Sequence, residues 1–520
     1  MTRDLAALAA RSYDLVVVGG GIYGICAVRE AARRGLTACL LERDDFAAAT
    51  SANSLRIIHG GLRYLQHGDL RRMRQSIGER RLLQWLAPRL VRPLPCLMPT
   101  YGHGLKGPEV LRVALALNDL VGFDRNQGLA PADRLPRGRT YSRSELLRLL
   151  PEVPREGLTG GALWYDCQVS SSERLALAFL QSGIAAGAAA ANYVEMTGVQ
   201  QAAGRITGVR AVDRLTGAEF EVRARAVLNA AGPWVDQVLA RAEARRGAAR
   251  FAPSKAFNLL LRRPLFERYA VGLAGRWKFE DRDAIVQKGA QLFFVVPWRC
   301  GCLVGTRHLR SAGPEDLEVT EADIARFLAE INDAYPAAEV SRDDVLAVYS
   351  GLLPEAAGHT GAEVQLQKHP SFRDHREGGI DGLYTVVGVK WTTAREVAAR
   401  TISRIAARIA PAAASPVPER APLAGAEPDG PATPERIQRA VRDELAQRLT
   451  DVVFRRTTLG ADGHPGMAAL ERCADLVAAE LGWSPARRQA ELADVDAEFR
   501  RRRSYPAAHS SAVTTGVTLA

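Results

Sequence analysis

Residues 15–24 read LVVVGGGIYG, and this stretch decides the fold of the chain. Four apolar residues predict a buried strand, and the glycines after them predict a tight turn into a helix. In a dinucleotide-binding βαβ unit, Gly19 permits the turn, Gly21 lets the backbone approach a pyrophosphate, and Gly24 lets the helix pack closely on the sheet. The pattern therefore predicts an α/β protein with a Rossmann-like nucleotide domain.

An acidic residue, Glu42, closes a second apolar run downstream. It follows the glycine turn by roughly the 20 residues that this motif requires, so its carboxylate can accept hydrogen bonds from ribose hydroxyls. The phosphates are expected at the helix N-terminus, where unpaired N–H groups and the helix dipole favour an anion. Strand, helix and acid in register make the prediction specific.

The chain has 520 residues, too many for one hydrophobic core, so we expect two or three domains. Its seven cysteines are scattered, and Cys26 and Cys39 fall inside the nucleotide unit as small buried apolar residues. Cys300 and Cys302 form a close pair, but no second pair completes a zinc spacing. We expect a reducing compartment, no disulfides and no metal.

Charge and hydropathy narrow the location and the partners. The sequence has no run of about 18 uncharged apolar residues, and residues 1–12 contain three charges in place of an apolar signal region. We therefore expect a cytoplasmic protein. The net charge of +11 leaves open a peripheral contact with the inner face of the cell membrane or the attraction of an acidic substrate. The sequence contains no basic patch interleaved with aromatic residues, so nucleic-acid binding is not expected.

Further strand and turn signals divide the chain into a discontinuous nucleotide domain and other parts. Alternating apolar segments within residues 250–345 predict a mostly antiparallel sheet in a substrate domain. A Pro- and Ala-rich segment predicts a linker, and helical periodicity after it predicts a C-terminal helical domain. The predicted boundaries are 1–100, 155–250 and 345–410 for the nucleotide domain, 101–154 and 251–344 for the substrate domain, 411–433 for the linker, 434–505 for the helical domain and 506–520 for a frayed tail.

Seven further motifs follow the glycine turn. In chain order they are TSANS at 50–54, IHGGLRYL at 58–65, NAAGPW at 229–234, VPW at 296–298, YSG at 349–351, GVKWTT at 388–393 and RRTTLG at 455–460. With these motifs the chain resembles the flavin-dependent glycerol-3-phosphate dehydrogenases over roughly residues 12–505.

The resemblance implies bound FAD. It also implies oxidation of glycerol 3-phosphate or a related small secondary alcohol to the ketone, with hydride passing from the carbinol carbon to the flavin. Electrons then go to a quinone or, in the oxidases of the family, to oxygen. The cofactor-binding residues implied are Gly19, Gly21, Gly24 and Glu42 at the ADP part, Thr50 and Ser51 near the pyrophosphate, Gly388 to Thr393 near the ring, and Gly232.

The same resemblance implies a substrate site. Arg63 and Tyr64 match family positions that reach the bound phosphate or hydroxyls, and Lys390 and Thr392 match positions beside the reacting centre. His59 lies in the matching IHGG motif, where it acts on a proton or is a turn histidine satisfied by the backbone. We expect His59 or Lys390 to take the hydroxyl proton.

Several positions depart from the family pattern. Asn258 stands where the family has histidine, so a titrating imidazole becomes an amide. Leu353 stands where the family has an arginine that can hold a phosphate. Arg307 and His308 replace a Thr-Asp pair, and His308 is a candidate substrate residue.

A further family arginine falls on Lys368 or Arg373, since the spacing fits either. Two interpretations follow. Arg307, His308 and Lys368 rebuild a phosphate and proton site in shifted positions, or the pocket serves another hydroxy or amino substrate.

Three classes of function stay open at this point. The first is a glycerol-3-phosphate dehydrogenase that delivers electrons to a membrane quinone. The second is a retooled flavin oxidase or dehydrogenase, and the third is a flavoprotein that has lost turnover and serves as a binding partner. Assembly into a homo-oligomer is also left open.

Overall fold

The computed structural model describes residues 1–104, 107–242, 251–275, 292–356 and 364–502. Its helices are α1 Leu5–Ala10, α2 Ile22–Arg33, α3 Leu70–Leu86, α4 Pro108–Val121, α5 Arg143–Leu149, α6 Ser172–Ala185, α7 Val235–Arg241, α8 Glu321–Ala334, α9 Ala394–Ile409, α10 Pro434–Glu444, α11 Leu449–Asp451, α12 Met467–Leu481 and α13 Pro485–Arg501. Its strands are β1 Ser12–Tyr13, β2 Leu15–Val18, β3 Ala38–Leu41, β4 Ile57–Ile58, β5 Val91–Tyr101, β6 Arg139–Ser142, β7 Leu158–Val169, β8 Ala189–Ala191, β9 Val194–Ala202, β10 Arg205–Asp213, β11 Glu219–Ala224, β12 Val227–Asn229, β13 Pro253–Leu261, β14 Ala270–Ala274, β15 Leu292–Trp298, β16 Gly301–Arg310, β17 Val345–Pro354, β18 Ser371–Asp374 and β19 Leu383–Val387.

The predicted nucleotide unit is built around a central sheet in the order β18-β19-β12-β2-β3-β8. All of these strands run parallel except β18, which pairs antiparallel with β19 at one edge. Along β2, Leu15 and Val17 face the helices α2, α6 and α9, while Val16 and Val18 face a second sheet, β1-β11-β10-β9. Both faces of β2 are therefore covered, which explains its continuous apolar sequence.

A larger sheet carries the substrate domain. Its order is β17-β13-β16-β15-β14-β5-β7-β4, with β6 paired to β7, and its pairs are antiparallel except β14 with β5. Helix α8 covers one face, where Phe257 packs edge-on against Phe327 at 5.6 Å between ring centroids. The α/β fold with a mostly antiparallel substrate sheet is as predicted.

The predicted domain boundaries need one correction. Strands β4, β5, β7 and β17 lie largely or wholly in ranges assigned to the nucleotide domain, yet all of them pair in the large sheet. The chain crosses between the two sheets more often than the sequence indicates, because a buried antiparallel strand and a buried parallel strand of similar length have the same apolar pattern.

The C-terminal part is helical, as predicted, with α10 to α13 around a small apolar core. The predicted linker is held against the nucleotide domain. Glu419 accepts from Nη1 and Nη2 of Arg29 at 2.8 Å each. The Leu423 amide donates to the Leu86 carbonyl at 2.8 Å. The predicted tail lies outside the described residues. No helix in the described ranges is long and apolar enough to span a membrane.

Candidate active site

The glycine turn has the shape that a dinucleotide requires. Gly19 has φ +105°, and a Cβ added to Gly24 would lie 1.9 Å from the Gly19 carbonyl oxygen. Gly21 precedes the first residue of α2 without a side-chain cap, and the Ile22 amide donates to the Ser51 hydroxyl at 3.0 Å. A helix N-terminus of this kind receives phosphate, so these residues fit the pyrophosphate of FAD.

Glu42 lies beside this turn, at the end of β3. Its carboxylate accepts hydrogen bonds from the Gly20 amide at 2.5 Å and the Asp44 amide at 2.7 Å. Burial, and next the charge of Asp44, raise the pKa of Glu42 to about 7. A carboxylate fixed by two backbone donors can still accept from ribose hydroxyls, because each oxygen has more than one acceptor position.

Thr50 faces the substrate sheet. Its hydroxyl accepts from the Leu352 amide at 3.1 Å and donates to the Leu352 carbonyl at 3.2 Å. A Cβ on Gly351 would lie 3.1 Å from Thr50. The structure thus brings Ser51 to the glycine turn and joins Thr50 to β17.

Residues 388–393 turn back toward α2 through Tyr23, which the sequence analysis did not single out. The Tyr23 hydroxyl accepts from the amides of Val389 and Lys390 at 3.1 Å each, and donates to the Lys390 carbonyl at 2.6 Å. A Cβ on Gly388 would lie 1.9 Å from the Tyr23 ring. The glycine therefore allows the ring to sit under this loop and fix its backbone.

The remaining cofactor candidates lie around the same loop and the end of β12. Thr392 and Thr393 are both buried, and the Thr393 hydroxyl bonds to Tyr23. Gly232 follows β12 with φ +57°, and a Cβ there would meet no atom within 4 Å.

Lys390 lies beside Tyr64 and is influenced by the charges of Arg72 and Arg63. Its ammonium contacts the Tyr64 hydroxyl and lies 4.0 Å from the Tyr64 ring centroid. Burial, and then the charges of Arg72 and Arg63, lower the pKa of Lys390 to about 7. The neutral amine is therefore accessible near neutral pH, which an exposed lysine does not offer.

His59 also lies against Tyr64, with the two ring centroids 5.9 Å apart and the planes at 74°. Burial and the charge of Lys390 lower the pKa of His59 to about 4. The imidazole is consequently neutral at physiological pH and has one nitrogen free to accept a proton. The structure brings both proton candidates to the same tyrosine.

Asp166, which sequence reasoning missed, fixes the turn that carries His59. Its carboxylate accepts from the Gly60 amide at 2.5 Å, from Arg80 at 2.6 Å and from the Trp164 indole at 3.0 Å. A Cβ on Gly60 would lie 2.3 Å from Arg80, so the turn and the guanidinium pack closely.

The large sheet separates Arg307 from His308. Arg307 is opposite Phe257 on β13, on the α8 face, and its guanidinium lies 3.2 Å from Glu330. His308 is opposite Ala256, on the other face. Burial, then the charges of Arg63 and Arg307, lower the pKa of His308 to about 4. Its Nδ1 is buried and has no hydrogen-bond partner among the described residues, as expected of a group that faces a ligand.

Asn258 is held by its neighbours. Its amide donates to the Asn53 carbonyl at 3.2 Å, and its oxygen accepts from the Thr306 hydroxyl at 2.8 Å. Lys368 precedes His369. The pKa of His369 is lowered by burial and by charges that include those of Arg72 and Lys390. Arg373 lies on the edge strand β18. Of Lys368 and Arg373, Lys368 is therefore the one that lies next to a residue influenced by Arg72 and Lys390.

Family models match this arrangement. Residues 14–402 match the model described as FAD dependent oxidoreductase, and residues 392–488 match the model described as the C-terminal domain of alpha-glycerophosphate oxidase. The first match includes the glycine turn and every candidate site residue. Fold and site define a FAD-dependent oxidoreductase.

Individual relatives narrow the class. The glycerol-3-phosphate dehydrogenase of Synechocystis sp. is 33% identical over 441 residues, which are 82% of this chain and 75% of that protein. The human mitochondrial glycerol-3-phosphate dehydrogenase is 32% identical over 405 residues, 75% of this chain and 52% of that protein, so the chain spans about half its length. The chain belongs to the glycerol-3-phosphate dehydrogenase family of FAD-dependent oxidoreductases.

Among solved structures, the glycerol-3-phosphate dehydrogenase from Bacillus halodurans, complexed with FAD, has a TM-score of 0.70 at 19% identity. The match covers 97% of this chain and 98% of that chain. At this identity the likeness shows a shared fold, which here includes the C-terminal helices. The predicted family, fold class and FAD cofactor are confirmed.

Proposed function

We propose that this chain oxidises glycerol 3-phosphate, or a closely related secondary alcohol with an anionic group, to the ketone. The observation that supports this is the concentration of positive charge on one side of the site. The charge of Arg63 is among the causes that lower the pKa of Lys390, His59 and His308. Arg72 adds a second charge, 4.5 Å from the Tyr64 ring centroid. An anionic substrate would be attracted to this cluster.

In this proposal Lys390 and His59 serve as the proton acceptors. The pKa of about 7 makes the neutral Lys390 amine available, and the pKa of about 4 keeps His59 neutral. Either group can accept the hydroxyl proton of an alcohol held against Tyr64. Bound FAD supplies the hydride acceptor, which no side chain provides. Arg63, Tyr64, His308 and Thr392 orient the substrate, and Asn258 holds Thr306 of β16.

A second candidate is oxidation of another hydroxy or amino compound. Leu353 favours it, because a half-buried leucine on β17 offers no charge to a phosphate. Arg307 also favours it, because its guanidinium pairs with Glu330 on the α8 face of the sheet, and His308 lies on the opposite face. A phosphate site in shifted positions, predicted from Arg307, His308 and Lys368, would then depend on His308 and Lys368.

Anaerobic reduction of the purified holoprotein by glycerol 3-phosphate tests the proposal. We expect bleaching of the flavin absorbance band by glycerol 3-phosphate, and slower bleaching by glycerol, which lacks the anion. Bleaching by an uncharged hydroxy or an amino compound alone would support the second candidate. If dithionite reduces the flavin but none of these compounds reduces it, the protein has lost turnover.

We further propose that electrons leave to a quinone and that α4 contacts an anionic lipid surface. Four exposed side chains form a stripe along and just beyond this helix: Val113 (60% exposed), Leu117 (43%), Leu120 (69%) and Phe123 (79%). Arg74 lies 5.3 Å from the Phe123 ring and pairs with Asp124, with which Arg81 also pairs. Two arginines around one carboxylate leave net positive charge beside the stripe. Apolar anchors beside arginines are typical of helices that lie in the membrane interface.

The lipid contact is connected to the site. Val121, the last residue of α4, packs against the small cluster that contains Tyr64 and Ile77. We propose that the protein works at the inner face of the cell membrane. Oxygen as acceptor, and assembly into a homo-oligomer, are the alternatives that oxygen consumption and analytical ultracentrifugation test.

A further inference from the structure

Asp45 joins the nucleotide domain to the C-terminal domain. This carboxylate is 2% exposed and follows Glu42 by three residues. It accepts hydrogen bonds from Arg455 Nε at 2.5 Å and from two nitrogens of Arg456 at 2.8 Å each. Burial alone would raise its pKa, but the charges of Arg456 and Arg455 lower the pKa of Asp45 to about 2. A pair of arginines from one domain therefore neutralises a buried acid of the other.

The segment around Asp45 is attached to the glycine turn on both sides. Glu42 accepts from the Gly20 amide at 2.5 Å, and the Ala47 amide donates to the Gly20 carbonyl at 2.9 Å. A Cβ on Gly20 would lie 2.8 Å from the Phe46 ring. Residues 42–47 thus form a short arch over Gly20, and Asp45 lies in the middle of this arch.

The two arginines are themselves fixed by other groups. Arg455 also donates to Asp451 at 2.7 Å, and Asp451 accepts from the Tyr193 hydroxyl at 2.6 Å. Arg456 also donates to the Glu444 carbonyl, at 3.2 Å from Nε and at 3.1 Å from Nη2. The arginines therefore present a rigid, charged surface to Asp45, and any displacement of the arch would leave a buried carboxylate unpaired.

A second buried ion pair in the same interface does not touch the arch. Arg174 of α6 donates to Glu444 at 2.8 Å and 2.5 Å, and both side chains are buried. This pair links the same two domains on the side of α6. It provides a comparison, because Arg174 bonds to the Glu444 carboxylate and to no residue of 42–47, while Arg456 bonds to the backbone carbonyl of Glu444.

We propose that Arg455 and Arg456 are positioning residues for the adenosine part of FAD. Through Asp45 they hold the arch in the shape in which Glu42 and Gly20 face the ribose and pyrophosphate. The C-terminal helical domain is in this way a component of the cofactor site, although it lies outside the nucleotide fold. The inference rests on the FAD cofactor and is independent of the substrate.

The test compares FAD affinity in full-length variants of the holoprotein. The flavin is removed, and FAD rebinding is followed by flavin fluorescence, with thermal unfolding of the apoproteins measured by circular dichroism. We expect Arg456→Met to raise the Kd for FAD about tenfold. Residues in one buried hydrogen-bond network typically have coupling free energies that correspond to a change in Kd of about this size. Arg174→Met should lower the Tm of the apoprotein to a similar degree and change the Kd less than about twofold, because Arg174 bonds to the Glu444 side chain, whereas Arg456 bonds to the Glu444 backbone carbonyl. Arg436 still pairs with the Glu444 carboxylate in this variant.

Two further variants cover a failure of Arg456→Met to fold. Asp45→Asn keeps the shape of the side chain and removes its charge, and the double variant Asp45→Asn with Arg456→Gln restores a neutral hydrogen-bonded pair. We expect weaker FAD binding in the single variant and recovery in the double variant. Equal losses of FAD affinity in the Arg456 and Arg174 variants, or an unchanged Kd in Asp45→Asn, would overturn the proposal. Neither result would bear on the choice of substrate, which bleaching of the flavin decides.

Discussion

The Lys390 ammonium contacts the Tyr64 hydroxyl and also lies 4.0 Å from the centroid of the Tyr64 ring. Because burial removes this lysine from water and the charges of Arg72 and Arg63 act on it, its pKa is lowered to about 7. The contact therefore places a group that titrates near neutrality directly on the side chain that we expect to face the substrate.

The first prediction concerns the pH dependence of turnover. With Lys390 as the base, kcat/KM rises with pH through about 7, because the ammonium below that pH cannot accept a proton. Lys390→Met should remove this limb and lower kcat by about 10²- to 10⁴-fold, the usual contribution of a positioned base. Flavin absorbance of the variant shows whether FAD is retained. A wild-type limb near pH 4 would assign the proton to His59 instead.

The second prediction concerns the anion. Arg63→Ala should raise the KM for glycerol 3-phosphate about tenfold or more, since a hydrogen bond to a charged group contributes about 1.5–3 kcal/mol. Arg71→Ala, a change at an exposed arginine on α3, is the control and should leave KM unchanged. Equal effects of the two variants would mean that only the general positive field attracts the substrate.

The third prediction compares two glycines that lie within helices. Gly24→Ala places a methyl group 1.9 Å from a backbone oxygen, so the turn must shift, and we expect purified protein without flavin. Gly78→Ala meets no atom within 4 Å and should stabilise α3 by about 0.5–1 kcal/mol, because alanine restricts the unfolded chain. The ratio of flavin to protein absorbance and the Tm check both. Full flavin content in the Gly24 variant would contradict the close packing at this turn.

The fourth prediction concerns the exposed stripe on α4. Leu120→Glu should reduce co-sedimentation with vesicles that contain phosphatidylglycerol, because a charge replaces a 69% exposed apolar anchor. Met467→Glu changes a 45% exposed side chain of the C-terminal domain and should bind vesicles as the wild type does. Binding of the wild type should weaken as salt is raised. A loss of binding in both variants alike would remove α4 as the contact surface.

The sequence predicts the local backbone geometry of the nucleotide unit well, because the residues that form it are close together in the chain. Gly19, Gly24 and Glu42 belong to one βαβ unit, and the physical requirements of that unit fix their spacing. The structure shows the backbone geometry of this unit, in the positive φ of Gly19 and the close approach at Gly24. The contacts of these residues and of Glu42 with FAD stay predictions.

The substrate side was less predictable, since its contacts join residues far apart in the chain. Tyr23 meets Lys390 across 367 positions, and Asp166 meets Gly60 across 106, and neither contact has a signal of its own in a single sequence. The separation of Arg307 from His308 follows from strand alternation, but only after the register with β13 is known. A tyrosine inside a glycine turn was the one signal available for Tyr23.

The two hydrogen bonds between Thr50 and Leu352 bear on how ligands enter and leave. They tie the segment after the nucleotide unit to the edge strand of the large sheet, beside the site. A hinge motion that separated the two sheets at this point would have to break both hydrogen bonds in every catalytic cycle. We therefore expect the two sheets to stay joined at Thr50 and Leu352 during turnover, so that substrate and product pass without separation of the sheets at this point.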